Sequence, residues 1–221
     1  MSEWNLPDLI DHTVLRPDAT KIDVLRLCQE AKDHRFAVIF VPPCYVDDAV
    51  AAVAGTAIRV GIPIGFPLGG HTTKTKVAEA IEAVSRGAQV LDMVMNVSRL
   101  KSGDRDYVRR DIAEVVQATP AVEHKVILET CYLTQEEKRT ACQLVVEAGA
   151  DYVKTSTGFG AAGATVEDVK LMKEAVANRV KVKASGGIRD WKTTLAMLEA
   201  GADRIGTSAS LAIVAEWKRH L

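Results

Sequence analysis

The chain has 221 residues, 28 of them basic and 29 acidic, which gives a formal net charge of −1. The two signs are mixed along the chain with no basic stripe, so the composition argues against a nucleic-acid partner. No segment is apolar for long enough to span a bilayer and the four cysteines form no CxxC pair, so we expect a reduced, cytoplasmic protein without a membrane anchor.

Apolar runs alternate with helical patterns along the whole chain after a short amphipathic segment at 5–10. The runs that favour β-strands are 11–15, 37–41, 59–66, 89–96, 125–129, 152–156, 180–184 and 204–206. The patterns that favour helices are 21–34, 46–53, 73–86, 104–119, 134–149, 166–177, 191–200 and 211–221. Thr134 and Glu137 predict a capping box at the start of one of these helices.

Eight strand–helix units in a chain of this length predict an α/β fold of the (β/α)8 TIM-barrel class. We expect a single domain over residues 1–221 with a short N-terminal lead-in helix. Three helices end alike, at Gly87, Gly149 and Gly201, each followed by Ala, which hints at a repeated unit. The alternative is an open doubly wound sheet, but no GxGxxG motif follows the first strand.

Lys154 stands in the middle of an otherwise apolar strand. Burial disfavours an ammonium ion, so the pKa of Lys154 should fall and its free amine become a nucleophile for carbonyl carbons. The alternative is a lysine at a strand edge whose ammonium group reaches water. The sequence around Lys154 leaves both possibilities open.

Two other charged residues interrupt apolar strands, Lys183 on the seventh and Asp92 on the fourth. Inward residues of neighbouring strands lie a few ångströms apart, so we expect Lys183 to repel the ammonium group of Lys154 and Asp92 to carry protons. The alternative is a buried Lys–Asp ion pair without a catalytic role. Such a pair accounts for one lysine and leaves the other unpaired at a cost.

Small residues precede the helices that follow strands seven and eight, at 185–189 and 206–210. Their free backbone amides and the helix N-termini suit a phosphate group, which barrels often bind at this pair of loops. Gly158 and Gly160 after strand six would add further amides. Arg189 would add a charged group or form a surface salt bridge, and Gly-Gly by itself also fits a simple tight turn.

Seven stretches of the chain together resemble the deoxyribose-phosphate aldolases, a family of class I aldolases with a (β/α)8 barrel. They lie at 9–13, 65–69, 91–94, 125–130, 152–159, 183–189 and 204–208. The block Lys-Thr-Ser-Thr-Gly-Phe at 154–159 is the most specific of them. The resemblance implies reversible cleavage of 2-deoxy-D-ribose 5-phosphate to acetaldehyde and D-glyceraldehyde 3-phosphate, without a metal or another cofactor, by a homodimer or homotetramer.

The resemblance also implies roles for particular residues. Lys154 would form the Schiff base, Lys183 would lower the pKa of Lys154, Asp92 would transfer protons with a water molecule, and Asp11 would help to position Lys183. The phosphate contacts would fall on Gly158, Gly186, Gly187, Gly206 and Ser208.

Two features depart from the family pattern. Phe40 stands where many members carry a strand-two cysteine, so we expect a tighter pocket. The chain also ends at 217–221 without the Tyr-bearing tail of some members, so we expect a weaker preference for phosphate.

The other polar residues near the predicted strand ends have simpler explanations. We expect His12 to fill space at the barrel mouth and His71 to lie in a solvated loop. Glu129 ends the fifth strand and either faces the site or pairs with a barrel lysine. A metal site from His12, His71, Glu129 and Asp92 would indicate a metal-dependent aldolase or isomerase, but the spacing does not support it.

Two further functions remain open from the sequence alone. The first is a cofactor-free phosphosugar isomerase or epimerase, which needs a carboxylate base and has no use for the pair of lysines. The second is a non-catalytic barrel that binds sugar phosphates.

Overall fold

The computed structural model describes residues 4–220, and in it eight parallel strands close into a barrel in chain order. Each strand pairs with the next, and the last pairs with the first. The predicted (β/α)8 barrel is therefore confirmed, and the alternative of an open sheet is wrong. The strands are β1 (Ile10–Thr13), β2 (Val38–Phe40), β3 (Arg59–Ile64), β4 (Val90–Val94), β5 (Glu123–Ile127), β6 (Tyr152–Lys154), β7 (Lys181–Ser185) and β8 (Arg204–Thr207).

Ten α-helices accompany these strands within the described residues. They are α1 (Leu6–Leu9), α2 (Lys21–His34), α3 (Val46–Ala52), α4 (Thr73–Ser85), α5 (Val97–Lys101), α6 (Arg105–Ala118), α7 (Gln135–Glu147), α8 (Val166–Val176), α9 (Trp191–Glu199) and α10 (Ser210–Lys218). The expected lead-in helix is α1, and the last helix ends at Lys218. Residues 1–3 and Leu221, which the predicted domain includes, lie outside the described residues. None of the described helices is long and apolar enough to cross a membrane.

Several element boundaries differ from the prediction by a few residues, and two differences, at the end of β5 and at α5, have clear local reasons. The fifth strand ends at Ile127, because Glu129 takes a left-handed backbone with φ of 54° and a 3-10 turn (Thr130–Tyr132) follows it. The sequence pattern does not predict α5, whose first turn is capped by the Asn96 side chain accepting from the Arg99 amide at 3.1 Å. The apolar run up to Asn96 concealed the start of this helix.

The helix ends follow the predicted signals. Thr134 and Glu137 form the expected capping box, with the Glu137 carboxylate accepting from the Thr134 amide at 2.8 Å. Gly87, Gly149 and Gly201 have φ values of 102°, 81° and 105°, a backbone region that glycine adopts without strain. The chain thus returns from three helices to the next strand through similar turns.

Phe40 occupies the interior of the barrel beside β3. Its side chain is buried against Val38 and Val90. Its register partner Gly61 provides the space, since a Cβ atom at position 61 would lie 2.6 Å from the Phe40 Cζ atom. The barrel therefore accommodates a large ring on one strand by having no side chain on the next.

The variant Gly61→Ala is expected to lower the free energy of unfolding by about 1–3 kcal/mol, because the added methyl group overpacks a closed core. Urea denaturation of the variant and the parent protein measures the difference. Gly70→Ala is the matched control, because a Cβ atom there meets nothing within 4 Å. Adding Phe40→Leu to Gly61→Ala should recover part of the loss, and a fully stable Gly61→Ala protein would contradict the packing described above.

Candidate active site

Asp92 on β4 is the centre of a buried network of charges inside the barrel. Its Oδ2 atom accepts hydrogen bonds from Lys154 Nζ and from Lys183 Nζ, both at 2.6 Å. Lys154 and Lys183 are register partners on β6 and β7, so both side chains leave the sheet at the same level. The structure thus brings together the three residues that the sequence singled out on separate strands.

Asp11 on β1 is the second carboxylate of the network. Its Oδ2 atom lies 2.5 Å from Lys183 Nζ, and its Oδ1 atom accepts from Arg204 Nε at 2.7 Å. Asp11 therefore lies where it can orient Lys183. The sequence predicted that an ion pair with Asp92 would leave one of the two lysines unpaired. This is wrong, because Asp11 is a second carboxylate partner, for Lys183.

Lys125 is a third buried lysine, and the sequence analysis assigned no role to it. Its Nζ atom lies 2.5 Å from Glu123 Oε1, 3.8 Å from Asp11 Oδ2 and 3.9 Å from Asp92 Oδ1. The only signal for it is the strand register, which sets Lys125 opposite Asp92. The register between two strands cannot be read from the sequence of either strand alone. The sequence therefore did not predict that Lys125 lies beside Asp92.

Basic groups outnumber carboxylates in this network. The carboxylates are Asp11, Asp92 and Glu123, and the basic groups are Lys125, Lys154, Lys183 and Arg204. Arg59 also contacts Glu123, but its side chain is 33% exposed and reaches solvent. An uncompensated charge is costly inside a protein, so the network favours one lysine as a neutral amine.

Burial lowers the pKa of two lysines of this network, Lys125 and Lys154. For Lys154 the pKa falls to about 8, because burial and, to a smaller extent, the charge of Lys183 lower it against the opposing attraction of Asp92. Lys183 is equally deprived of water, but Asp11 and Asp92 raise its pKa, so it stays an ammonium ion. Burial favours the neutral form of Asp92, yet Lys154 and Lys183 lower its pKa and keep it a carboxylate. Lys154 and Lys183 thus differ in pKa because their carboxylate partners differ.

Lys154 connects this network to a cavity of about 570 Å³ at the carboxyl ends of the strands. The cavity is lined by Lys154 and by all five predicted phosphate-binding residues, which are Gly158, Gly186, Gly187, Gly206 and Ser208. Arg189 also lines it and is exposed. Asp11, Asp92 and Lys183 are not among its lining residues. The Lys154 amine therefore borders the cavity, whereas the groups that shift its pKa do not.

The loops after β6 and β7 are fixed to each other by hydrogen bonds. The Thr155 hydroxyl donates to the Ser185 carbonyl at 2.9 Å and accepts from the Ser185 amide at 3.0 Å. Gly186 has a φ of 88°, and a Cβ atom there would lie 3.0 Å from the Gly163 Cα atom. Glycine is therefore required for these two loops to approach each other.

Glu129 contacts the loop after β6 and pairs with no lysine in the described structure. Its carboxylate accepts from the Thr157 amide at 3.2 and 3.3 Å and from the Thr157 hydroxyl. The alternative of a Glu129–lysine pair is therefore wrong. Gly160 packs against Glu129 and Cys131 and does not line the cavity, and the Thr157 amide is already bonded to Glu129, so of the two amides predicted in this loop only that of Gly158 borders the cavity.

Phe40 does not line the cavity among the described residues, so the predicted tightening of the pocket has no basis there. Its ring instead faces the network, with Lys183 Nζ 4.0 Å from the ring centroid. A cation so close to an aromatic face is stabilised electrostatically. Phe40 thus supports the charged state of Lys183.

The histidines do not assemble a metal centre. His71 is exposed in the loop after β3, as expected, whereas His12 is buried and hydrogen-bonded to Glu30 and Ser210. Within residues 4–220 no three His, Cys, Asp or Glu side chains are grouped so that they could hold one metal ion. The hypothetical site from His12, His71, Glu129 and Asp92 is therefore not formed.

Residues 8–216 match the sequence profile of the DeoC/LacD family aldolases. A deoxyribose-phosphate aldolase of Thermoanaerobacter sp. (strain X514) is 56% identical over 218 residues, covering 97% of this chain and 98% of the relative. The solved structure of a putative deoxyribose-phosphate aldolase from Coccidioides immitis superposes with a TM-score of 0.94 at 45% identity, covering 96% of this chain and 85% of the other. A deoxyribose phosphate aldolase from Aeropyrum pernix, described as tetrameric, gives 0.91 at 32% identity, with coverage of 98% and 92%.

The rate of reductive methylation of Lys154 by formaldehyde and cyanoborohydride should rise with pH through a midpoint of about 8, since only the neutral amine reacts. In Lys183→Met the midpoint should move upward, because the substitution removes a neighbouring positive charge. Peptide mass spectrometry at a series of pH values measures both midpoints. Lys173→Met, on the outer helix α8, is the control and should leave the Lys154 midpoint in place. An unchanged or lower midpoint in Lys183→Met would contradict the charge coupling.

Proposed function

Because the chain belongs to the DeoC/LacD family of aldolases, we propose that it cleaves 2-deoxy-D-ribose 5-phosphate reversibly through a Schiff base on Lys154. The chain is a carbon–carbon lyase of the deoxyribose-phosphate aldolase type. The products are acetaldehyde and D-glyceraldehyde 3-phosphate. The observation that supports the covalent step is a buried lysine at the cavity wall whose pKa is about 8.

The first step is attack of the Lys154 amine on C1 of the open-chain sugar. With a pKa of about 8, about a tenth of the molecules hold the neutral amine at pH 7, against about one in three thousand for an ordinary lysine. Loss of water from the carbinolamine gives an iminium ion. The iminium nitrogen then draws electrons from the sugar, as a metal ion would in other aldolases.

The C2–C3 bond breaks when the C3 hydroxyl group loses its proton. The electron pair of that bond moves to the iminium group, which leaves an enamine of acetaldehyde on Lys154 and releases D-glyceraldehyde 3-phosphate. Protonation of the enamine at C2 and hydrolysis of the new iminium ion then release acetaldehyde and restore the amine. The bond cleavage and the proton transfer to C2 both take place while C1 is bound to Lys154 Nζ.

Asp92, together with a water molecule, is proposed to carry the protons in these steps. Its Oδ2 atom lies 2.6 Å from the Nζ atoms of both Lys154 and Lys183, so a proton can pass between these groups. Lys183 supports the neutral state of Lys154 by repulsion, and Asp11 holds Lys183 in place at 2.5 Å. The proposal thus gives each of the four buried groups a separate task.

The sugar phosphate is proposed to bind the backbone amides of the loops after β6, β7 and β8. The contacts fall on Gly158, Gly186, Gly187, Gly206 and Ser208, which line the same cavity as Lys154. The N-terminus of α10 follows directly and favours an anion. Binding a phosphate away from the reacting carbons helps to hold C1 against the amine.

We extend the proposal to assembly and location. A homodimer or homotetramer is supported by the Aeropyrum pernix relative, whose structure is described as tetrameric, and by apolar side chains at the surface such as Leu68 and Ile22. A cytoplasmic location is supported by the four cysteines, which are all free thiols.

Sodium borohydride added with acetaldehyde should fix a covalent adduct on Lys154, because the reagent reduces the imine to a stable amine. Peptide mass mapping identifies the modified residue. Lys154→Ala should lose both the adduct and on the order of 10⁴-fold in kcat/KM, since the covalent route disappears. Lys170→Ala, an exposed lysine on α8, is the control and should behave as the parent. Activity that survives in Lys154→Ala would rule out the Schiff-base mechanism.

Prolonged treatment with EDTA should leave kcat/KM for 2-deoxy-D-ribose 5-phosphate unchanged, because the iminium group of Lys154 takes the electrons that a metal ion would take. The assay follows D-glyceraldehyde 3-phosphate through a coupled reduction with NADH. An authentic metal-dependent aldolase, treated in parallel, shows that the chelation is effective. Loss of activity that Zn²⁺ restores would instead favour a metal-dependent aldolase.

A further inference from the structure

We propose that His12 is a positioning residue that holds the first turn of α10, and with it the phosphate-binding loop after β8, through a hydrogen bond to Ser210. The inference rests on the proposed function, since it concerns how that function's phosphate anchor is built. It replaces the expectation that His12 only fills space at the barrel mouth.

His12 links three separate elements of the barrel. From β1, its Nε2 atom lies 2.9 Å from Glu30 Oε2 on α2, and its Nδ1 atom lies 2.8 Å from Ser210 Oγ on α10. The ring is 3% exposed and packs against Phe36 with 4.8 Å between ring centroids. It is therefore held on three sides, and its two nitrogen atoms have fixed partners.

The partners determine which nitrogen carries the proton. Burial lowers the pKa of His12 below its ordinary value, so the ring is neutral at pH 7. The Glu30 carboxylate can only accept a hydrogen bond, so Nε2 carries the hydrogen and Nδ1 is the acceptor. The Ser210 hydroxyl then donates to Nδ1, in preference to the Thr207 carbonyl at the longer distance of 3.3 Å.

Ser210 is the residue through which this bond reaches the loop. It begins α10 and follows by a few residues two predicted phosphate contacts, Gly206 near the end of β8 and Ser208 in the loop. The α10 cap residue Ala209 has no side-chain cap of its own, and its amide donates to the Thr207 hydroxyl at 2.9 Å. The His12–Ser210 bond therefore supplies a long-range restraint on the end of the helix that the proposed phosphate faces.

A serine, a histidine and a glutamate in sequence also resemble the arrangement that activates a serine nucleophile. Here Ser210 is fully buried, with 0% relative exposure, so no substrate reaches its hydroxyl group. His12 itself lines the cavity, but Glu30 and Ser210 are bonded to both of its ring nitrogen atoms. The geometry supports positioning rather than nucleophilic catalysis.

The experiment compares kcat/KM for 2-deoxy-D-ribose 5-phosphate with kcat/KM for 2-deoxy-D-ribose, which lacks the phosphate group. His12→Gln keeps a donor for Glu30 and loses the acceptor for Ser210, whereas His12→Asn keeps an acceptor near Nδ1 and loses the reach to Glu30. Ser210→Ala removes only the hydroxyl donor. The ratio of the two kcat/KM values should fall about three- to tenfold in His12→Gln and Ser210→Ala, the range expected for one lost hydrogen bond, and should change less in His12→Asn.

His124→Gln is the matched control, because His124 is also buried and bonds Thr119 at 2.8 Å, but near the start of β5, at the opposite end of the barrel. Its ratio should stay at the parent value, and thermal melts show whether each variant folds. If His12→Gln does not fold, the kcat/KM ratio of Ser210→Ala alone tests the inference. An unchanged ratio in Ser210→Ala, or an equal fall in His124→Gln, overturns the inference. A parent protein that cleaves neither sugar would remove the proposed function itself, and the inference with it.

Discussion

One carboxylate shared by two lysines is the interaction on which the rest of the site depends. Lys154 and Lys183 both donate to Asp92 Oδ2 at 2.6 Å, so each ammonium group would meet the other at close range if both were charged. Asp11 breaks the symmetry, since of these two lysines it forms an ion pair only with Lys183, at 2.5 Å, and raises the pKa of that lysine. The position of a second acid thereby determines which of the two lysines has the lower pKa.

The charged groups of the network pair with one another because the closed barrel gives them few other partners. Salt bridges in a protein interior rarely add net stability, since removing ions from water costs several kcal/mol each. The same cost makes the arrangement useful, because the excess of basic groups is relieved when Lys154 gives up its proton. The packing of Phe40 against Gly61 belongs to this design, as it places an aromatic face rather than water against Lys183. The same excess of buried positive charge therefore costs stability and helps to lower the pKa of Lys154.

The sequence predicted the barrel, the two lysines and Asp92, because charged residues inside short apolar strands are conspicuous and eight strand–helix units leave few topologies. It did not predict the contacts of Lys125, Arg204 or Glu129. These depend on register and on backbone geometry, such as the left-handed turn at Glu129, which one strand's pattern does not contain. The role of Asp11 came from resemblance, because an acid at the start of an apolar strand also fits a solvated edge.

The site divides into parts that the fold holds in different ways. The amine and its acids lie on strands, where the sheet fixes their spacing, whereas the proposed phosphate anchor lies on loops that need restraints of their own. Hydrogen bonds such as Thr155–Ser185, Thr157–Glu129 and His12–Ser210 supply those restraints, and each joins residues from different elements. The distance between the anchor and the amine is therefore set by side chains that need not touch the substrate. In such a barrel, selectivity for the phosphate can change through these residues while the reacting network on the strands stays intact.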